Sequence, residues 1–220
     1  VPHALGEPRT TPNPFASLSF EMFKTAMKSL PPTILLFLLL QNFLTAENWP
    51  AWRGKDATGS TGAGQYPSEL NLQKNLQWKA PLPEKGCSTP IVWENSVLLT
   101  SPINGEDSVL SFSMGGEKNW QTKIGPERKG RHLNGSGSNP SVVTDGKNLF
   151  ALFKSGNLAC LNFDGKIIWK NDLSSYGKDT LYWDFGTSPL LTSKHLIVAL
   201  MRKGNSWLLA FDPMTRAVAW

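Results

Sequence analysis

Beyond residue 78 the apolar positions come in short runs, broken at regular places by glycine, aspartate and lysine. One stretch shows the pattern in full. Segments Ser138–Val143, Asn148–Phe153, Asn157–Phe163 and Ile167–Leu173 are separated by Thr-Asp-Gly-Lys, Lys-Ser-Gly and Asp-Gly-Lys. Val, Ile, Leu and Phe in such runs favour strands. Asp145-Gly146 and Asp164-Gly165 favour tight hairpins, because glycine adopts the positive φ that primed turns need. Four antiparallel strands follow. A later stretch repeats the plan as Ser188–Ser193, Lys194–Met201, Ser206–Asp212 and a closing Ala217–Trp220.

The pattern has a fixed period. Pro90, Pro140 and Pro189, each ending a small polar tetrapeptide, lie 50 and 49 residues apart, and Trp120, Trp169 and Trp220 lie 49 and 51 apart. Trp78, in Leu-Gln-Trp-Lys, reads as the closing element of a preceding, incomplete unit. Four strands repeated at this period describe propeller blades. The predicted fold class is therefore all-β: a partial β-propeller of four-stranded antiparallel blades over 78–220, with repeats at about 79–120, 121–169 and 170–220. Residues 47–77 form an entry segment. A blade cannot bury both faces alone, and an indole near its outer strand can cover roughly 150–250 Å² of a neighbour. Trp78, Trp120, Trp169 and Trp220 are thus expected to dock blades. Few propellers close with fewer than four blades, so about three units imply a truncated protein whose missing blades lie downstream.

The first 46 residues have a different texture. Lys28 leads an apolar core, Ile34–Leu40, and Leu44-Thr45-Ala46 follows before Glu47. Charged start, short apolar centre and small-residue end make residues 27–46 a signal peptide. A membrane anchor fits less well, since Pro31-Pro32 and Gln41-Asn42 bracket a core far short of the roughly 20 residues that span a bilayer. Residues 1–26, with four prolines, read as a disordered upstream extension, translation starting at Met27. The expected location is secreted or periplasmic, with no transmembrane anchor in the mature chain.

Composition changes this picture little. Apolar residues make up 40% and charged residues 18%, which suits a packed domain. The net charge of +5 is nowhere concentrated; the densest stretch, Arg128-Lys129-Gly130-Arg131, reads as a solvated loop, so no nucleic-acid partner is expected. Cys87 and Cys160 fall short of a disulfide framework, and both are expected to be buried thiols.

Ala210-Phe211-Asp212, then Arg216 and Trp220, resemble the tryptophan-docking motif of pyrroloquinoline quinone (PQQ) repeat propellers: Ala-x-Asp, a turn, Gly, and Trp four residues on. Ala210, Asp212 and Trp220 match; Arg216 stands where Gly is usual. The earlier units are one residue shorter and carry Asn162 and Ser113 at the Asp position. Trp49-Pro50-Ala51-Trp52-Arg53-Gly54 is similar to the opening of secreted PQQ-like propellers of planctomycete-type bacteria. The resemblance runs from Trp49 to Trp220 and implies a quinoprotein alcohol dehydrogenase-like ring of seven or eight blades. A dehydrogenase of that kind would hold PQQ with Ca²⁺ over the axis. The vicinal cysteine pair of many such enzymes is absent here, so the cofactor stays open.

The segments ahead of the inner strands would meet a ligand. They carry His132 and Asn134 in one unit, Trp183 and Asp184 in the next. Together these could wall a polar, aromatic pocket, with Asp184 as base or cation ligand and Trp183 as stacking floor. The plainer alternative has Asn134 and Asp184 tying loops and Trp183 packing between blades. No metal-ligand spacing is present. The expected function is a binding or scaffold module for a small molecule or protein. Its alternatives are part of a PQQ-dependent alcohol dehydrogenase, or an envelope-protein assembly platform.

Overall fold

In the computed structural model the described residues are 47–220, apart from 63, 65, 179 and 203. The signal-peptide and upstream-extension readings concern residues outside that range. Three antiparallel sheets follow one another along the chain. The first comprises β1 (Ile91–Trp93), β2 (Ser96–Ile103), β3 (Glu106–Ser113) and β4 (Lys118–Pro126) in sequential order. The second comprises β5 (Val143–Thr144), β6 (Asn148–Leu152), β7 (Asn157–Asn162) and β8 (Ile167–Asp172), again in order. The third holds β9 (Leu190–Leu191), β10 (Leu196–Leu200) and β11 (Trp207–Phe211). No α-helix occurs among the described residues, only a 3-10 turn at Ser174–Tyr176.

Side-chain alternation explains why the sheets stack. In the second sheet, Leu149, Ala151, Ala159 and Leu161 pack on one side against Ile91, Leu98 and Val109 of the first. Their neighbours Phe150, Leu152, Leu158 and Cys160 pack on the other side against Leu196, Val198, Leu209 and Phe211 of the third. Successive strand residues point to opposite faces, so the inner strands β6 and β7 of a sheet sandwiched between two others are apolar on both faces, while the outer strand β8 is mostly exposed. The third sheet is not sandwiched: in β10 the buried residues Leu196, Val198 and Leu200 alternate with half-buried Ile197 and Ala199. The far face of the first sheet, with Leu99, Leu110 and Phe112, is covered partly by Ala80 of the entry segment.

The tryptophans join one sheet to the next in a repeated way. Trp78 donates its Nε1–H to Met114 O (2.8 Å), Trp120 to Phe163 O (2.8 Å) and Trp169 to Pro213 O (3.0 Å). Each acceptor lies in the turn that follows the third strand of the receiving sheet. That turn needs a left-handed residue: Gly116 has φ 87° and Gly165 φ 79°. A Cβ at either would lie within 2.5–2.6 Å of the docked indole. Arg216 takes the same place at φ 66°, strained for a residue with a Cβ, and its guanidinium reaches back to Lys170 O at 3.2 Å. The motif Asp is also accounted for. Asp212 Oδ1 accepts the Met214 and Thr215 N–H groups, while Asn162 Oδ1 and Ser113 Oγ accept the equivalent turn donors of their own units. Any short side-chain acceptor serves.

The closing segment of the third unit, Ala217–Trp220, pairs antiparallel with β11 through the Phe211–Val218 bridge and the backbone bonds Asp212 N–H to Ala217 O (2.8 Å), Ala219 N–H to Ala210 O (2.8 Å) and Ala210 N–H to Trp220 O (2.9 Å). In the other sheets the outer strand is pinned by its indole and by Thr122 Oγ1 donating to Gly165 O or Lys170 Nζ to Ile124 O. Trp220 is 56% exposed, and no sheet follows it among the described residues.

Trp169 is only 7% exposed and stacks near Phe150 with ring centroids 6.1 Å apart. Trp169→Ala is expected to lower unfolding free energy by about 3–5 kcal/mol, and Trp220→Ala by less than about 1 kcal/mol. Urea denaturation followed by circular dichroism checks both; equal losses would contradict this docking scheme.

Candidate functional site

The loops that carry chain from one outer strand to the next inner strand meet at one end of the stack. Residues 127–142 and 173–189 form two of them, and the β6–β7 turn, Phe153–Gly156, lies between. Asp184 fixes this meeting point. Its side chain is fully buried and forms an ion pair with Lys154 Nζ, which also donates to Lys129 O. Its oxygens accept the backbone N–H of Arg131 (2.8 Å) and of His132 (3.0 Å). Burial acts to raise the Asp184 pKa, but the Lys154 ammonium and the two backbone donors outweigh it and hold the carboxyl below its ordinary range. Its backbone sits at φ 67°, a conformation that such a web of bonds can sustain.

Asp184 is thus occupied as a tie and has no free oxygen for base or ligand chemistry. Trp183, expected either as a stacking floor or as packing between blades, is 71% exposed, so it does not pack between blades. It lies 4.4 Å from the His132 ring, centroid to centroid, and 5.1 Å from Tyr182 at 85°. Tyr182 in turn stands 5.5 Å from His132 at 72°. Asn134 donates its backbone N–H to His132 Nδ1 (3.1 Å) and accepts Cys87 Sγ at its carbonyl (2.9 Å), leaving its side chain exposed. His132, Trp183 and Asp184 are therefore brought together, with Asn134 alongside. Cys160 is buried, as expected, and burial pushes its thiol up to about 12. Cys87 is exposed instead, in a segment ahead of β1 that is mostly exposed from Pro81 to Pro90.

Three groups were not legible as functional in the sequence. Lys154 and Tyr182 are two. The third is Asp107 on β3, fully buried, whose Oδ2 accepts from Ser155 Oγ and from Asn157 Nδ2 (2.8 Å) of the second sheet. Its Oδ1 is buried with no hydrogen-bond partner among the described residues. Burial raises its pKa to about 7, against the lowering from Ser155 and Asn157, and Glu127 adds to the rise. Glu127 is itself pushed up by burial and by Glu84.

A separate cavity of about 490 Å³ lies between Trp52-Arg53-Gly54 and Thr187–Leu190. Arg53 there is turned back onto Thr58 O at 2.8 Å, and none of the four candidate residues lines it. The entry segment reaches the inner edge of the sheets: Trp49 bridges Val92, and Thr144 N–H donates to Pro50 O at 3.0 Å.

A family model described as outer membrane protein assembly factor BamB matches residues 70–180 and 105–220. The chain belongs to this family of PQQ-repeat propellers. Two solved structures show the same fold. A europium-containing methanol dehydrogenase aligns with a TM-score of 0.59 at 15% identity, over 79% of this chain and 31% of its own. The quinohemoprotein alcohol dehydrogenase of Comamonas testosteroni aligns at 0.61 and 16% identity, over 83% of this chain and 28% of its own. The chain thus spans less than a third of either enzyme. No curated protein matches the sequence.

Among the described residues of this PQQ-repeat propeller no three His, Cys, Asp or Glu side chains converge, and Asp184 spends its oxygens on Arg131, His132 and Lys154.

Two charge-altering substitutions test these assignments. Asp184→Asn leaves Lys154 buried without its carboxylate, and is expected to cost about 3–5 kcal/mol while weakening the near-ultraviolet dichroism of Tyr182 and Trp183. Asp107 acts in the opposite sense with pH. Its folded pKa is raised, so the stability it contributes is complete below about pH 4 and is lost as pH rises through about 7. Between pH 5 and 8 the wild type should lose about 2–4 kcal/mol from this group, and Asp107→Asn should flatten that part of the melting-temperature profile.

Proposed function

We propose that this chain is an extracytoplasmic PQQ-like propeller acting as a binding module, whose ligand is met by the His132–Tyr182–Trp183 cluster. The observation that carries the reading is the state of Asp184. The Asp184 carboxylate beside the cluster is buried, ion-paired and saturated with hydrogen bonds, so the exposed face offers the stacking surfaces and hydrogen-bonding groups of His132, Tyr182 and Trp183 rather than a carboxylate. The family match supports an extracytoplasmic protein, as does the signal-peptide pattern at 27–46. No helix among the described residues is long and apolar enough to cross a membrane. Further blades complete the ring by packing on the far face of the third sheet, where Leu190 and Leu208 are exposed and Ile197 and Ala199 half-buried.

A second reading, an envelope-protein assembly platform, is favoured by the description of the matching family. Both oppose a dehydrogenase, whose fold the chain shares with the two enzymes. The deciding experiment adds PQQ and Ca²⁺ to the purified protein, removes excess by gel filtration, and follows quinone absorbance and dye-linked alcohol oxidation. Neither retained quinone nor turnover is expected. Retained quinone with turnover would replace the binding-module reading by the dehydrogenase one.

A further inference from the structure

We propose that the His132–Tyr182–Trp183 cluster binds a saccharide, taking the apolar face of a pyranose ring against Trp183 with the ring hydroxyls on its rim; this rests on the binding-module reading.

The first ground is exposure held in place. Trp183 and Tyr182 are 71% and 66% exposed, yet their neighbour Asp184 is locked by Lys154 and two backbone donors. Arg131 adds a bond from Nη1 to Thr180 O at 2.9 Å, anchoring the same loop from the other side. Large aromatic faces kept in water on a braced loop are suited to a partner that stacks. The bracing lowers the entropy cost of binding.

The second ground is shape. The three rings meet at 47°, 72° and 85°, which makes an angular corner rather than a flat apolar field. Such a corner accepts one ring face and touches its edge. A broad protein interface would call for a wider apolar surface.

The third ground is the hydrogen-bonding rim. The Asn134 N–H on His132 Nδ1 places the neutral ring's hydrogen on Nε2, making that atom a donor. Tyr182 contributes a hydroxyl, and the exposed Asn134 amide both donates and accepts. A sugar offers what matches: C–H groups on its face and hydroxyls at its edge. Other stacking ligands fit less well. A quaternary ammonium would want a negative surround, whereas Lys85, bonded to Leu133 O, and Arg131 flank the cluster. A single-stranded nucleic acid would want a basic groove tracking its backbone, and no such run of charge is present in the sequence.

The test is affinity electrophoresis of the whole protein in native gels cast with a neutral β-glucan, with polygalacturonate, or with no polymer. Wild type should be retarded by at least one polysaccharide. Trp183→Ala and Tyr182→Ala should weaken that retardation tenfold or more while leaving the melting temperature unchanged, as both side chains are exposed. Three results overturn the proposal: no retardation in either gel, retardation that survives both substitutions, or Trp183-dependent binding of oligo(dT) stronger than that of either polysaccharide. PQQ-dependent turnover would overturn the underlying binding-module reading, whereas failure in the polysaccharide gels overturns the saccharide assignment alone.

Discussion

An indole laid on the next sheet's turn is the interaction on which this protein depends. A four-stranded sheet of this size has two apolar faces and no means of covering both. Trp78, Trp120 and Trp169 each cover part of a neighbour and satisfy their own N–H on a turn carbonyl there. The contact therefore combines area burial with a directional bond, and it sets the relative placement of consecutive sheets. It also imposes conditions on the receiving turn. A left-handed residue must sit beneath the indole, and a short acceptor must hold the turn's N–H groups.

Those conditions explain how the motif tolerates variation. Ser113, Asn162 and Asp212 differ chemically, but each presents one oxygen to the turn donors two to four residues on. Arg216 replaces glycine at positive φ and offsets part of the strain by bonding across to Lys170 O. In Asp212 the Thr215 N–H and hydroxyl, then the Met214 N–H, hold the carboxyl below its ordinary range, so it stays an acceptor at neutral pH.

At the loop end the same stack creates a different environment. Consecutive sheets converge there, and polar groups from three segments are enclosed. Lys154 and Asp184 are buried as a pair, which is tolerable only because each has its counter-charge and added hydrogen bonds. Asp107 is buried without a cation beside it, and responds by favouring its neutral form. One carboxylate is thus driven down and another up within adjoining interfaces, by the presence or absence of an ammonium group.

The strands, their turns and the period were legible in the sequence because they rest on local chemistry: alternation, β-branched residues, Asp-Gly turns and recurring tryptophans. The candidate segment Trp183-Asp184 and its counterpart His132–Asn134 could be singled out for the same reason, as polar breaks ahead of inner strands. What each does there was decided only by tertiary structure. Nothing local shows that Lys154, on a β6–β7 turn, would meet a carboxylate 30 residues away, or that this contact would occupy Asp184 and leave Trp183 in water. Nor does it show Asp107 facing Ser155 and Asn157 across two sheets. The sequence determined the repeating sheet and the means of joining one to the next. The stacking alone determined which charges share a buried interface, because pairing between distant segments depends on where the sheets bring them and not on their neighbours along the chain.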